Sequence, residues 1–200
     1  MLSGVLLSTA YLPPAEYFSH IMNAEKVFIE GEENYIKQTY RNRCRILSSN
    51  GILTLSVPVV KGPFPKTPVR EIRIDYTKRW QLMHLRALTS SYGSSPYFQY
   101  YFDGLEQIIR KNSEYLFDLN MNLLVWAMKI LGMEREVNIT SAFEPDEKAS
   151  YDHRYLISPK VSSGYTSGKY LQVFDAGSFV AGLSIIDLIF NNGPDARYLI

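Results

Sequence analysis

Two adjacent prolines, Pro13 and Pro14, stand just behind the apolar run Val5-Leu6-Leu7-Ser8-Thr9. Proline lacks a backbone N–H and holds φ fixed, so it cannot extend a strand ladder but suits the first turn of a helix. The pair therefore predicts a buried strand over 5–9 that turns into a helix over 14–23. A second strand, Lys26-Val27-Phe28-Ile29-Glu30, follows. Strand, helix, strand with parallel pairing is a right-handed crossover unit. In open sheets of this kind, ligands sit outside the carboxyl ends of the strands, near a helix N-terminus that favours anions. Ser8, Thr9 and Tyr11 are placed to line such a pocket.

Ser49-Asn50-Gly51 is a turn signal between strand-like runs at 41–47 and 52–59. Residues 61–68 hold three prolines and a glycine and read as loop. Alternation over 69–75 predicts a half-buried strand. The second half turns helical over 78–92, then behind Ser94-Ser95-Pro96 as a cap, then over 105–112 and 115–131 up to Gly132. A short strand at 136–140 and a last helix at 183–191, stopped by Asn192-Gly193-Pro194, complete the pattern. The fold class is thus α/β, with mixed α+β as the alternative: an N-terminal strand-helix-strand unit and a hairpin forming a mixed sheet, then a helical half. Residues 141–169 lack periodicity and read as irregular or mobile. No boundary or repeat divides the 200 residues, so one domain is expected over 1–200.

Charge and cysteine narrow the function classes. Lys plus Arg is 21 against 20 for Asp plus Glu, a net charge of +1, which argues against nucleic acid as a partner. Cys44 is the single cysteine, so neither an intrachain disulfide nor a thiolate zinc site can form. That usage fits a cytoplasmic location. The apolar start has no Lys or Arg before it and meets Pro13-Pro14 at once, so it reads as a strand rather than a targeting segment. No run approaches the roughly 18 apolar residues of a membrane span. Gly164-Tyr165-Thr166-Ser167-Gly168-Lys169 fails the phosphate-loop spacing, and Tyr170 replaces the hydroxyl residue that would hold magnesium. His20, His84 and His153 are far apart and lack metal-ligand spacing. No cofactor and no metal is implied.

Four constellations can carry chemistry. On a strand over 41–47, Arg41, Arg43 and Arg45 share one face at spacings of about 7 Å, while Asn42, Cys44 and Ile46 face the other way. Three guanidinium groups so placed can clamp phosphates, and Lys37 lies close before them. The alternative is a solvated sheet face. Trp80, Gln81, His84 and Arg86 lie on one helix, where His84 is either a packed histidine or a general acid-base group. Ser184, Asp187 and Asn191 share a narrow polar stripe, and Asp187 is either salt-bridged to an arginine or part of a site. The turn 8–14 is the fourth.

These stretches together resemble the WbqC-like protein family. The likeness is carried by Ser8-Thr9-Ala10-Tyr11-Leu12-Pro13-Pro14 with Tyr17-Phe18, by Tyr40-Arg41-Asn42-Arg43-Cys44, and by Trp80-Gln81 with His84. It continues in Ser95-Pro96-Tyr97-Phe98, in Tyr170-Leu171-Gln172-Val173-Phe174, and in residues 183–191 with Gly193-Pro194. The family is named after a gene in a surface-polysaccharide locus, and no general activity comes with it. The first turn is also similar to the entry of HxGH-type nucleotidyltransferases, but Pro14-Ala15-Glu16-Tyr17 stands where that motif has its histidines and glycine. Nucleotidyl transfer by that mechanism is therefore not expected.

The resulting expectation is a transferase of surface-polysaccharide assembly acting on an anionic activated precursor, such as a nucleotide or nucleotide sugar. Arg41, Asn42 and Arg43 would hold phosphate with Thr9, and Arg45 would assist. Tyr11, Tyr17, Trp80 and Gln81 would supply the rest of the contact surface. His84 and Asp187 are the acid-base candidates. Joint replacement of Arg41 and Arg43 is then expected to weaken anion binding and leave melting nearly unchanged. The alternative is a non-catalytic binding or scaffold protein, either a homo-oligomer or a partner of biosynthetic enzymes, with an exposed aromatic surface over 97–102.

Overall fold

The computed structural model describes residues 4–62, 64–145, 151–160, 164–174 and 178–200. The sheet begins with β1 (Gly4–Ser8), which crosses through α1 (Ala15–Asn23) to β2 (Lys26–Glu30). The two strands pair in parallel, from Gly4 opposite Lys26 to Ser8 opposite Glu30. Val27 and Ile29 are fully buried, as are Phe18 and Ile21 on the helix that covers them. The crossover expected from Pro13-Pro14 is therefore present, with Pro14 at the N-cap of α1.

The hairpin pairs β3 (Arg43–Ser48) with β4 (Gly51–Ser56), antiparallel, around the Ser49-Asn50 turn. It does not join the parallel strands: the described strands form two sheets, and the hairpin is one of them. The reason is visible on the free edge of β3. Ser184 donates its N–H to the Arg45 carbonyl at 2.7 Å, and the Leu47 N–H reaches the Tyr92 hydroxyl at 3.2 Å. With those groups satisfied, β3 needs no further strand.

The strand expected over 69–75 is not formed. Val69–Glu71 is a 3-10 turn in which the Glu71 N–H donates to the Pro68 carbonyl, and only single bridges at Arg73 and Ile74 follow. Val69 and Ile72, three residues apart, both reach the core, a spacing that a 3-10 turn puts on one face whereas a strand would point the two side chains to opposite faces.

The helical half holds α2 (Trp80–Tyr92), α3 (Phe98–Arg110) and α4 (Leu116–Ile130). The cap expected from Ser94-Ser95-Pro96 is absent, because the Ser95 hydroxyl donates to the Tyr92 carbonyl and α3 begins uncapped at Tyr97. Gly132, at φ 63°, closes α4: its N–H bonds Lys129 and the Met133 N–H bonds Met128. The chain then returns as β5 (Val137–Ile139), parallel to β2, giving the order β1-β2-β5. Across the described parts of 141–169 there is no helix or strand; positions 146–150 and 161–163 lie outside the described residues. One parallel bridge, Leu6 to Asp152, lays this stretch along the open edge of β1.

The last helix, α5 (Ile185–Asn192), is capped by the Ser184 hydroxyl, which accepts from the Ile186 N–H. It ends at Gly193, with φ 57°. An added Cβ there would stand 2.5 Å from the Tyr97 ring. Gly193→Ala is therefore expected to lower stability by more than about 1 kcal/mol, through both the left-handed backbone and the clash. Urea unfolding checks this, and an unchanged midpoint would refute it.

Candidate functional site

Two carboxylates dominate the carboxyl end of the sheet. Glu30 ends β2 and Glu33 follows it, and both are buried. Burying a carboxylate is costly unless a cation and hydrogen bonds compensate. Arg41 holds Glu33 through Nε at 2.8 Å and Nη2 at 2.5 Å, and the same Nη2 donates to the Ser8 hydroxyl at 2.7 Å. Arg154 holds Glu30 at 2.8 Å and Asp152 at 2.6 Å. Burial opposes the charge of Arg154, but Asp152 and Glu30 outweigh it and raise its pKa. The Ser8 hydroxyl donates in turn to the Arg154 carbonyl at 2.8 Å, so one serine links the two clusters. Tyr155 lies against both guanidinium groups.

This arrangement divides the residues of the expected phosphate clamp. Arg41 lies before β3, is buried, and is committed to Glu33 and Ser8. Asn42 is buried too and donates to the Val57 carbonyl. Arg43 and Arg45 do alternate with buried Cys44 along β3. Thr9 accepts from Asn120, which also donates to the Arg41 carbonyl.

The predicted ligand-contact rings are inside as well. Tyr17 donates its hydroxyl to the Ser8 carbonyl at 2.8 Å, and burial pushes its pKa up. Trp80 is buried edge-on to His84, with ring centroids 5.1 Å apart. Gln81 turns elsewhere, donating to the Ile109 carbonyl and to Asn112. His84 is a packed histidine. Its Nδ1 lies 2.9 Å from the Tyr11 hydroxyl, and the ring also bonds the Ser56 backbone. Burial pushes the His84 pKa down to about 4, partly offset by Ser56.

Asp187 is fully buried and, among the described residues, meets no arginine, unlike the salt bridge expected as one alternative. Its partners are neutral: Tyr92 donates at 2.9 Å, Tyr170 at 2.5 Å and Gln172 at 3.2 Å. Burial raises its pKa, while the three donors pull it back.

An open space lies on the other side of Tyr40. A cavity of about 250 Å³ is lined by Pro14, Ala15 and Glu16 at the start of α1, by Arg45, by Ser158 and Lys160, and by the rings of Tyr40, Tyr165, Tyr170 and Phe179. Tyr40 also lines the small cleft between Ser8, Arg41 and Arg154, so one ring separates the cavity from the ion clusters. Tyr40 hydrogen-bonds Arg45. Leu12, in the turn beside the cavity, holds φ at 44°, an uncommon conformation for a side chain of this size. Burial and the Ser184 hydroxyl, which donates to the Leu12 carbonyl, keep it there. Of the predicted residues, Arg45 lines this cavity, and Asp187 reaches it through Tyr170. Glu16, Tyr40, Ser158, Lys160, Tyr165 and Tyr170 were not singled out as ligand contacts. Tyr40 and Tyr170 do sit in the quoted family stretches, and that was the available signal.

A further pairing was invisible in sequence. His20 Nε2 and His153 Nδ1 lie 3.3 Å apart, joining α1 to the stretch along β1. Burial, and then His153, push the His20 pKa down to about 4.

The model of the WbqC-like protein family matches residues 9–169. The chain belongs to the WbqC-like protein family. The match includes Glu16, Tyr40, Arg45 and Ser158 to Lys160 on the cavity wall but ends before Tyr170 and Asp187. The chain is also similar to the uncharacterized protein Rv1507c of Mycobacterium tuberculosis, at 29% identity over 96% of this chain and 94% of the relative. No solved structure matches. Family membership links the chain to glycan biosynthesis by name only. Among the described residues no helix is long and apolar enough to cross a membrane.

Two outcomes follow from the buried groups. Arg41→Ala leaves Glu33 buried without its cation and is expected to cost about 3–5 kcal/mol, rather than leaving melting unchanged. Arg43→Ala, on a half-buried strand position, serves as the comparison in the same unfolding series. A neutral Arg41→Ala would refute the role assigned to the pair. The second concerns pH. With its folded pKa near 4 against an ordinary 6.5, His84 is neutral in the native state while the unfolded chain is protonated. Stability therefore falls as pH drops from about 6.5 to 4, by about 1.4 kcal/mol per pH unit from this residue. His20 acts in the same direction, and Asp187, with its raised pKa, in the opposite one. The slope lost in His84→Gln isolates the His84 share, and an unchanged slope would overturn the assignment.

Proposed function

We propose that this chain, as one domain over residues 1–200, is a cytoplasmic transferase of surface-glycan assembly that binds an anionic activated precursor in the cavity at the start of α1. The observation that carries this reading is the lining of that cavity. Arg45 and Lys160 bring two cations to a concave site at the carboxyl end of β1, where the first turn of α1 adds its positive end. Four aromatic rings and the hydroxyls of Ser158, Ser167 and Ser184 complete a wall suited to a polar, flat-faced ligand. Arg45 and Lys160 hold the phosphate here, and Arg41 supports the wall from behind.

Of the two acid-base candidates, Asp187 is better placed. Tyr170 lines the cavity and donates to Asp187, which gives a proton path from ligand to carboxylate. His84 is sealed behind Tyr11. The scaffold alternative expects an exposed aromatic surface over 97–102, but of the aromatic residues in that stretch only Tyr100 is exposed. Phe98 stacks on Phe102 at 4.4 Å and meets Phe190 at 5.2 Å. That packing supports the ligand-binding reading.

A thermal-shift series with inorganic phosphate, pyrophosphate, nucleotides and nucleotide sugars tests the proposal. A ligand at 100 times its dissociation constant adds about 2.7 kcal/mol, or roughly 5–10 °C for a chain of this size. The shift is expected to vanish in an Arg45→Ala, Lys160→Ala double variant that melts normally without ligand. A sound melt with no shift across the panel would overturn the reading in favour of the scaffold.

A further inference from the structure

An anion site has no need of a carboxylate, yet Glu16 lines this cavity together with Arg45 and Lys160. Glu16 is the second residue of α1, half-buried, and among the described residues it forms no ion pair. Its charge is felt across the cavity: after burial and the hydrogen bonds each phenol makes, Glu16 adds to the upward push on Tyr40 and Tyr165. A phosphate seated against it would be repelled. An acidic residue in a first helical turn stabilises the helix slightly, which is reason enough for it to exist but not for it to border the cavity. A carboxylate is a pure acceptor, and the ligand groups that satisfy it without repulsion are hydroxyls.

Size gives the second constraint. The cavity of about 250 Å³ lies below the roughly 300–1,000 Å³ of pockets that enclose a whole drug-sized ligand. A nucleotide sugar exceeds that ligand size, so the cavity cannot enclose one. A monosaccharide phosphate is of the right order. Cations, a lone carboxylate, serine hydroxyls and aromatic faces on one small wall match its two halves.

We infer that the cavity is a subsite for a phosphate-linked sugar, in which Arg45 and Lys160 take the phosphate, Glu16 accepts hydrogen bonds from the sugar hydroxyls, and any nucleoside stays outside. This rests on the anion-binding reading above and names the part of the precursor that the site reads.

Calorimetric titration of the full chain with inorganic phosphate, a panel of hexose 1-phosphates, UDP and the matching UDP-sugars tests it. At least one hexose 1-phosphate is expected to bind tenfold or more tightly than inorganic phosphate, with its UDP-sugar within tenfold of it. Glu16→Gln is expected to weaken that hexose 1-phosphate about tenfold and to leave inorganic phosphate unchanged or tighter. Lys160→Ala, at an exposed side chain, is expected to weaken both by the same factor and so serves as the control for the phosphate half. Three results would overturn the inference while sparing the anion site: phosphate binding that depends on Arg45 but gains nothing from any sugar, UDP binding as tightly as its sugars and far above the hexose phosphates, or Glu16→Gln weakening all ligands alike. Failure of every probe, inorganic phosphate included, would remove the anion site itself and this inference with it.

Discussion

Two buried glutamates at the end of β2 organise much of what surrounds them. Glu30 and Glu33 cannot stay charged inside the protein without cations, and the sheet's one lysine, Lys26, lies at the opposite end of β2. The cations arrive from opposite directions: Arg41 from the approach to the hairpin and Arg154 from the stretch along β1. Satisfying the two carboxylates therefore pulls two distant segments onto the same sheet end. Ser8, between them, bonds both. With Asp152 included, three carboxylates face two guanidinium groups. The cluster is thus a junction of the chain with its own partners, not a reservoir of free positive charge.

The cavity is a consequence of that junction. Once Arg41 is fixed, Tyr40 stands as a wall between the ion cluster and the open space. Once Arg154 is fixed, the following residues, Ser158 to Lys160, reach the same space from the other side. The turn at Leu12 is held in its uncommon conformation by Ser184, and Ser184 caps the helix that carries Asp187. Each wall of the cavity is therefore anchored in a buried polar contact, an arrangement that gives a loop-built site a fixed shape.

Six of the 15 tyrosines divide between two tasks. Tyr11, Tyr17 and Tyr92 are buried and spend their hydroxyls on His84, the Ser8 carbonyl and Asp187. Tyr40, Tyr165 and Tyr170 line the cavity. A phenol suits both, because its body tolerates burial and its tip needs one partner. Composition shows the excess but cannot say which rings are inside.

The sequence by itself determined the local elements whose chemistry is short-range. Pro13-Pro14 placed the end of β1 and the start of α1, Lys26 to Glu30 read as a strand at its observed limits, Ser49-Asn50-Gly51 read as the hairpin turn, and Gly132 stopped α4. Each depends on the residues themselves or on neighbours a few positions away. Only the tertiary structure decided which polar groups meet. Alternation grouped Arg41 with Arg43 and Arg45, but a buried Glu33 claimed Arg41 and took it out of the strand. Alternation over 69–75 fitted a strand, but Val69 and Ile72 are both buried, and a 3-10 turn, unlike a strand, puts residues three apart on one face. Asp187 met two phenols and an amide instead of an arginine, and these came to it from residues 15 to 95 positions away along the chain. His20 and His153, or Glu16 and Lys160, share no sequence pattern, since their proximity follows from where Arg154 pins the chain. Periodicity encodes which face of an element is buried; the partner waiting on that face is set by long-range charge neutralisation and packing.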